Sequence, residues 1–156
     1  MNEINKKISV ITVVKNGMPF VKSAIKSFTL QTYQNKEMII VYSPSNDGTE
    51  EYLKNIKEEN IIVKKDVTSK NRYGSINVGI DLSKGEIFGL LHSDDVFYNE
   101  KILDLISKNI SNEIDLIYGD ILYSETHNLK KIKRVWKSSK FNITQLIKLE
   151  VYYYHC

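Results

Sequence analysis

The residues best suited to chemistry in this 156-residue chain are His92-Ser93-Asp94-Asp95, directly after the apolar run Ile87 to Leu91. Two adjacent carboxylates at the end of such a run can hold a hard cation through oxygen ligands. The imidazole beside them can ligate manganese or make a hydrogen bond. Acids at this place equally suit a helix N-terminus, where they satisfy free N–H groups, and spacing alone leaves both readings open. A phosphate next to a carboxylate is repelled by roughly 4 kcal/mol per charge pair at about 4 Å and an effective dielectric of about 20. A diphosphate bound here therefore requires a divalent cation, magnesium or manganese, between the two. Such an ion would also act as a Lewis acid toward a departing diphosphate.

The elements that must position this group can be read from periodicity. Ile8 to Val14 is a nearly continuous β-branched run and reads as a buried strand. Asn16-Gly17 breaks it, and Pro19 then suits the first turn of a helix. Phe20, Ala24, Ile25 and Phe28 give that helix an apolar face, to about Thr32. Met38 to Val41 and Ile61 to Val63 read as further buried strands. Asp47 with Glu50 resembles a capping box for a helix through Ile56. A polar loop over Lys64 to Arg72 leads to a helix over Tyr73 to Leu82, which stops at Lys84-Gly85. Ile87 to Leu91 is the fourth strand, and a helix follows over Asn99 to Ile110. Asp115 to Tyr123 and Lys130 to Trp136 read as strands around a turn at His127-Asn128, with a last helix over Ile143 to Leu149.

Alternating strands and helices predict an α/β fold. It is a three-layer α/β/α sandwich on a mostly parallel sheet with a small antiparallel addition. In such sheets ligands bind outside the carboxyl ends of the strands. That rule selects Thr12 to Asn16, Tyr42 to Asp47 and His92 to Asp95, where much of the polar and acidic punctuation of the first ninety-five residues falls.

Composition narrows the partners. The 42 % hydrophobic and 26 % charged content suits one globular domain rather than a disordered chain. The surplus of 22 basic over 19 acidic residues, a net +3, suits an anionic small ligand or a loose contact with acidic lipid. It lacks the concentrated charge of a nucleic-acid-binding domain, and the ten tyrosines are scattered rather than clustered for base stacking. The one cysteine, Cys156, allows no intrachain disulfide, so a reducing cytoplasm is expected. The apolar runs are too short for a membrane span, which leaves a peripheral contact with the inner membrane face as the closest approach to lipid.

Taken in order, Ile8-Ser-Val-Ile-Thr-Val-Val-Lys-Asn-Gly17, Gln31-Thr-Tyr33, Ser45-Asn-Asp-Gly-Thr49, Asn77-Val-Gly-Ile80, Lys84-Gly-Glu-Ile87 and His92-Ser-Asp-Asp95 resemble the successive landmarks of family 2 glycosyltransferases of the GT-A fold. Tyr73 to Ile80, and Tyr118-Gly-Asp120 followed by a basic strand to Trp136, resemble a subgroup acting in bacterial polysaccharide synthesis. The resemblance covers residues 6 to 136. No G-x-G-x-x-G follows the first strand, so a dinucleotide-binding fold is disfavoured.

The resemblance implies a nucleotide-sugar-binding half over 6–97 and the start of an acceptor half over 98–156. It implies that Thr12, Val14 and Asn16 line the base and ribose, although strand packing would explain the first two. Tyr42 and Ser43 stand where the family commonly has a base-binding aspartate, and Tyr42 could stack on a base or simply pack. Asp47 matches the aspartate of the family's turn and also fits a helix cap. Arg72 and Asn77 lie in the segment that crosses the donor, with Arg72 able to fork a phosphate or to stay solvated. His92, Ser93 and Asp94 match the D-x-D metal motif, with histidine in the first place. Asp94 and His92 are the expected ligands of a manganese or magnesium ion, and Asp95 a helix cap.

The implied reaction is inverting transfer of a sugar from a nucleoside diphosphate to a hydroxyl of a glycan or lipid-linked acceptor. The basic stretch from Lys130 to Lys140 could attract phosphates or a membrane-bound acceptor, or be a solvated face. Tyr152-Tyr-Tyr-His155 is similar to a histidine landmark of the acceptor half. That half should begin where this sequence stops, which implies a fragment, a truncated product, a subunit completed by another chain, or a binding module without turnover.

Overall fold

The computed structural model describes residues 5–111, 113–126 and 128–140. They fall into two compact units that divide after residue 111. In chain order the first unit holds β1 (Ile8–Val14), α1 (Phe20–Thr29), β2 (Lys36–Tyr42), α2 (Thr49–Lys54), β3 (Ile61–Lys65), α3 (Arg72–Leu82), β4 (Ile87–Leu90) and α4 (Ile102–Asn109). The second holds β5 (Ile121–Glu125) and β6 (Asn128–Trp136). The helix α4, which the sequence groups with the second half, lies within the first unit.

The four strands of the first unit form one parallel sheet in the order β3-β2-β1-β4. The register pairs Val14 with Tyr42, Tyr42 with Lys65, and Ile11 with Leu90. The chain walks outward from β1 to β3 and then returns to the other side of β1. Right-handed crossovers place helices on opposite faces when the walk reverses, and the packing follows. One core joins Ile8, Val10 and Val14 of β1 to Val21, Ala24, Ile25 and Phe28 of α1, Leu53 of α2 and Leu103 of α4. The other joins Ile11, Ile39 and Val41 to Val78, Ile80 and Leu82 around α3. Alternate residues of each strand thus serve alternate layers. The apolar stripe of α1 starts at Val21 rather than Phe20, which is 41 % exposed.

Close approach of α3 to β1 depends on Gly79. A Cβ at this position would lie 2.5 Å from Cγ2 of Ile11. The stretch 99–104 is fastened by the Gln31-Thr32 pair. Gln31 donates to the carbonyls of Ser27 (3.2 Å) and Asn99 (2.6 Å) and accepts from the Leu103 N–H (3.0 Å). The Thr32 hydroxyl bonds the Glu100 carbonyl and Asp104. At the amino end of the sheet Glu37 is buried. It accepts from the Ser9 hydroxyl (2.7 Å) and the Lys84 N–H (2.6 Å) and pairs with Lys7 at 2.6 Å. Burial works against its charge, yet the Lys7, Ser9 and Lys84 donors hold its carboxyl below the usual range.

Two local expectations change. No capping box forms at α2: its N-cap is Gly48, with φ 89°, and Glu50 is drawn to Lys54 (2.9 Å) and Lys65 (2.8 Å) instead. In the second unit, residues 115–120 are not strand, and β5 begins at Ile121. There β5 and β6 pair antiparallel with irregular register around Ser124. The Arg134 guanidinium stacks 4.1 Å from the Tyr123 ring, and Glu125 pairs with Lys131 at 2.8 Å. Asp120 accepts from the N–H and hydroxyl of Ser138, both at 2.9 Å. His127, the helix expected over 143–149 and the Tyr152–His155 segment lie outside the described residues. Among the described residues no helix is long and apolar enough to cross a membrane.

Replacing Gly79 with alanine should destabilise the fold by about 1–3 kcal/mol, the usual range for overpacking, measured by urea denaturation. Glu37 contributes stability that is present above its unfolded pKa, about 4.3, and is lost as pH falls through its lowered folded pKa. Glu37→Gln should therefore be less stable at pH 7 and show a shallower loss of stability between pH 5 and pH 3.

Candidate functional site at the carboxyl end of the sheet

Reversal of the strand walk puts the switch point between β1 and β4, where an open parallel sheet leaves its ligand crevice. Three loops meet there. The loop after β1 is laced to the loop after β2. Asn16, in the left-handed region at φ 51°, donates its N–H to the Ser45 hydroxyl (3.0 Å) and accepts from the Asn46 N–H (3.0 Å) through its side-chain oxygen. The Gly17 N–H donates to the Thr49 hydroxyl (2.9 Å), and the Met18 N–H to Asp47 (2.8 Å). Asp47 also accepts from the N–H (3.1 Å) and hydroxyl (2.6 Å) of Thr49. The Thr49 hydroxyl and these N–H groups hold its carboxyl below the ordinary range. Asp47 is not the cap of α2, which is Gly48, but it ties two loops with one carboxylate just ahead of that helix.

The third loop follows β4. The buried Thr12 hydroxyl donates to the Leu91 carbonyl at 2.8 Å, and the Leu91 N–H donates to Ile11 at 3.0 Å. His92-Ser93-Asp94-Asp95 then forms a turn closed by the Asp95 N–H on the His92 carbonyl, 3.0 Å. A Cβ built on Gly17 would lie 3.7 Å from Cβ of Ser93 and 2.3 Å from Cγ2 of Val14. The clash with Val14 at the tip of β1 is what requires a glycine here, while the Ser93 distance is an ordinary contact that puts the turn next to the loop after β1.

The helix reading of the acidic pair does not hold, because α4 begins only at Ile102 with Lys101 as its N-cap. Asp95 accordingly caps no helix. His92 and Asp94 are exposed, and no hydrogen bond or ion pair engages the Asp94 carboxylate among the described residues. Asp95 is exposed as a residue, but protein packed around its carboxyl strips some of its water and pushes it up. The Asp94 charge adds to the rise, and His92 opposes it. The turn is thus a pair of mutually repelling carboxylates facing solvent, with an imidazole close by.

Among the described residues no group of three or more His, Cys, Asp or Glu is arranged to hold a metal, so His92 and Asp94 are not part of a preformed cage. The donor set still fits a shared ion. Magnesium and similar hard ions keep several waters and take one or two carboxylates plus substrate phosphates.

The other expected residues separate into groups. Thr12, Val14 and Tyr42 are buried, at 0 %, 2 % and 4 % exposure, so their side chains line the core and not an open cleft. The Val14 and Tyr42 carbonyls are occupied by the N–H groups of Ser43 and Asp66. Stacking of Tyr42 on a base is thereby corrected: the ring packs in the core with β1 and α2. Arg72 opens α3, 5.4 Å over the Tyr73 ring, and Asn77 is exposed on the same helix. Both belong to the helix that follows β3 and packs over β1 and β2, with Gly79, two residues after Asn77, against Ile11 of β1. A shallow depression of about 520 Å³ lies along α2, lined by Ser45, Asn46, Glu50, Glu51 and Lys54. Its Glu50 is already paired with Lys54 and Lys65.

One residue escaped the sequence reading. Asp66, 6 % exposed at the end of β3, accepts from the N–H (2.9 Å) and hydroxyl (3.0 Å) of Thr68, the N–H of Ser69 (3.1 Å) and the hydroxyl of Ser75 (2.8 Å). Ser69, the Thr68 N–H and the Ser75 hydroxyl hold its carboxyl far below the ordinary range. Its signal was present: Asp-x-Thr-Ser after a strand is the pattern of an Asx turn.

The profile described as glycosyl transferase family 2 matches residues 9–156. The chain belongs to that family. Relatives agree. An uncharacterized glycosyltransferase of Rickettsia conorii is 32 % identical over 94 % of this chain and 25 % of its own length. The Escherichia coli UDP-Glc:α-D-GlcNAc-diphosphoundecaprenol β-1,3-glucosyltransferase WfaP is 31 % identical over 64 % of this chain and 39 % of its own. The chain therefore spans about a quarter to two-fifths of these relatives. The mannosyltransferase PcManGT of Pyrobaculum calidifontis, solved with GDP-Man and Mn2+, superimposes with a TM-score of 0.62 at 15 % identity, covering 80 % of this chain and 37 % of that one. This likeness concerns the fold, and the α/β, GT-A-type sheet expected from the sequence is present.

Thr12→Val should cost about 1 kcal/mol of stability, the net worth of one hydrogen bond. Because the lost bond anchors Leu91, amide exchange should quicken selectively over Leu91 to Asp95, as followed by mass spectrometry.

Proposed function

We propose that this chain forms the donor-binding part of a glycosyltransferase that takes its sugar from a nucleoside diphosphate. The observation that carries the proposal is the exposed Asp94 carboxylate, without a hydrogen bond or ion pair among the described residues, in the turn after β4 at the switch point of the sheet. Such a group is repelled by a diphosphate unless a cation intervenes. Asp94 and Asp95, with His92 beside them, would hold a manganese or magnesium ion. When bound, it would supply positive charge to the diphosphate leaving group.

The chain's own contribution is placement. Asn16, Ser45 and Asp47 lock the loops after β1 and β2 together, so the crevice edge needs little ordering when a donor arrives. The nucleoside would lie over the β1–β2–β3 tips and the diphosphate toward β4. Transfer forms a bond between an acceptor hydroxyl oxygen and the anomeric carbon while the bond to the diphosphate oxygen breaks. Direct displacement inverts that carbon, and the hydroxyl proton passes to a base. By likeness to the E. coli relative, the acceptor would be a lipid-linked glycan of surface-polysaccharide synthesis, met by peripheral contact with a membrane.

Thermal unfolding with UDP, GDP and dTDP, each with and without Mn2+, tests the proposal. A nucleotide at one hundred times its Kd should add about 2.7 kcal/mol of stability, should need the metal, and should lose the effect in Asp94→Ala. Absence of metal-dependent stabilisation by all three nucleotides would overturn the reading. Donor hydrolysis, measured on the same samples, separates an enzyme from a module that only binds.

A further inference from the structure

The β3–α3 loop is built with more care than a surface connection needs. Six residues, 66–71, join strand to helix, and one buried carboxylate organises them. Asp66 takes two backbone N–H groups and two hydroxyls, one of them from Ser75 in the second turn of α3. Its own N–H is fixed to the Tyr42 carbonyl at 2.8 Å, at the carboxyl tip of β2. Asn71 caps α3 by accepting the Gly74 N–H at 3.0 Å. A Cβ on Gly74 would stand 3.0 Å from that of Ser69, so the loop lies flat on the first turn of α3.

This rigid segment presents apolar surface to water. Val67 is 70 % exposed and Tyr73 is 67 % exposed, with the Arg72 guanidinium 5.4 Å from the Tyr73 ring. Both belong to the connection that leaves the carboxyl tip of β3, the edge strand at the opposite end of the sheet from β4. An aromatic ring with an adjacent guanidinium is a surface for a planar base, and stacking on it is sequence-tolerant among bases.

We infer that Asp66 is a positioning residue: through Thr68, Ser69 and Ser75 it holds Val67 and Tyr73 as a wall for the nucleoside end of the donor, remote from the cation end. The inference rests on the donor-site reading above. It divides the ligand between two structural devices, the Asp66 clasp for the base and the His92–Asp95 turn for the diphosphate.

Calorimetry with split ligands tests it. UMP, GMP and dTMP probe the nucleoside end, and pyrophosphate with Mn2+ probes the other. In Asp66→Asn the best-bound monophosphate should weaken about tenfold, while Mn2+-pyrophosphate stays within about twofold of wild type; ten-fold corresponds to about 1.4 kcal/mol. Tyr73→Ala should reproduce that selectivity without touching the clasp. Ser75→Ala, which spares the turn around Thr68, should give the same pattern more weakly and serves if Asp66→Asn does not fold. Equal loss of both ligands, or unchanged monophosphate affinity in a folded variant, would overturn the inference while leaving the donor site intact. Wild-type protein that binds neither probe would instead sink the donor reading itself.

Discussion

Strand β1 is the constraint on which the rest depends. It is paired on both edges, by β2 and β4, and packed on both faces. A strand so enclosed has no solvent for its backbone, so every polar group near its carboxyl end must find a partner in the protein. The Val14 carbonyl takes the Ser43 N–H, the Ile11 carbonyl takes the Leu91 N–H, and the Thr12 side chain turns sideways to the Leu91 carbonyl. These bonds satisfy the strand and at the same time bring the loops after β2 and β4 to its tip. The crevice is a consequence of finishing β1.

From there the three strand tips acquire different characters. At β1 and β2 the polar side chains are consumed: Asn16, Ser45, Asp47 and Thr49 bond one another's backbones. At β3 a buried aspartate is likewise spent on its own loop. At β4, among the described residues, the Asp94 carboxylate remains without such a partner, and it and Asp95 repel each other. Rigid walls around one frustrated charge pair make a coherent arrangement for a ligand that carries its own charges and recruits a cation. The same division runs through the chain: Gln31, Thr32 and Gly79 hold elements together, and the Asp94 carboxylate stays open.

Much of the fold was legible because the signals were local. A β-branched run such as Ile8 to Val14 has few alternatives to a buried strand, and the four strands and four helices expected up to Ile110 are found within a few residues of their places. Misreadings arose where a local pattern competed with a distant partner. Glu50 has the spacing of a capping box, but Lys65 on the neighbouring strand and Lys54 claim its carboxylate. Asp95 precedes a helical stretch, but the chain runs through a turn first, with Gln31 holding the approach to α4.

The sequence by itself determined the alternation of elements, the family's ordered motifs and the presence of an acidic pair after the fourth strand, because each is written in adjacent residues. Only the tertiary structure decided what those residues do. Strand order, a property of pairing between segments dozens of residues apart, set the turn holding Asp94 at the switch point. Burial, which depends on every layer at once, turned Thr12, Val14 and Tyr42 inward and made Asp66 the organiser of a loop.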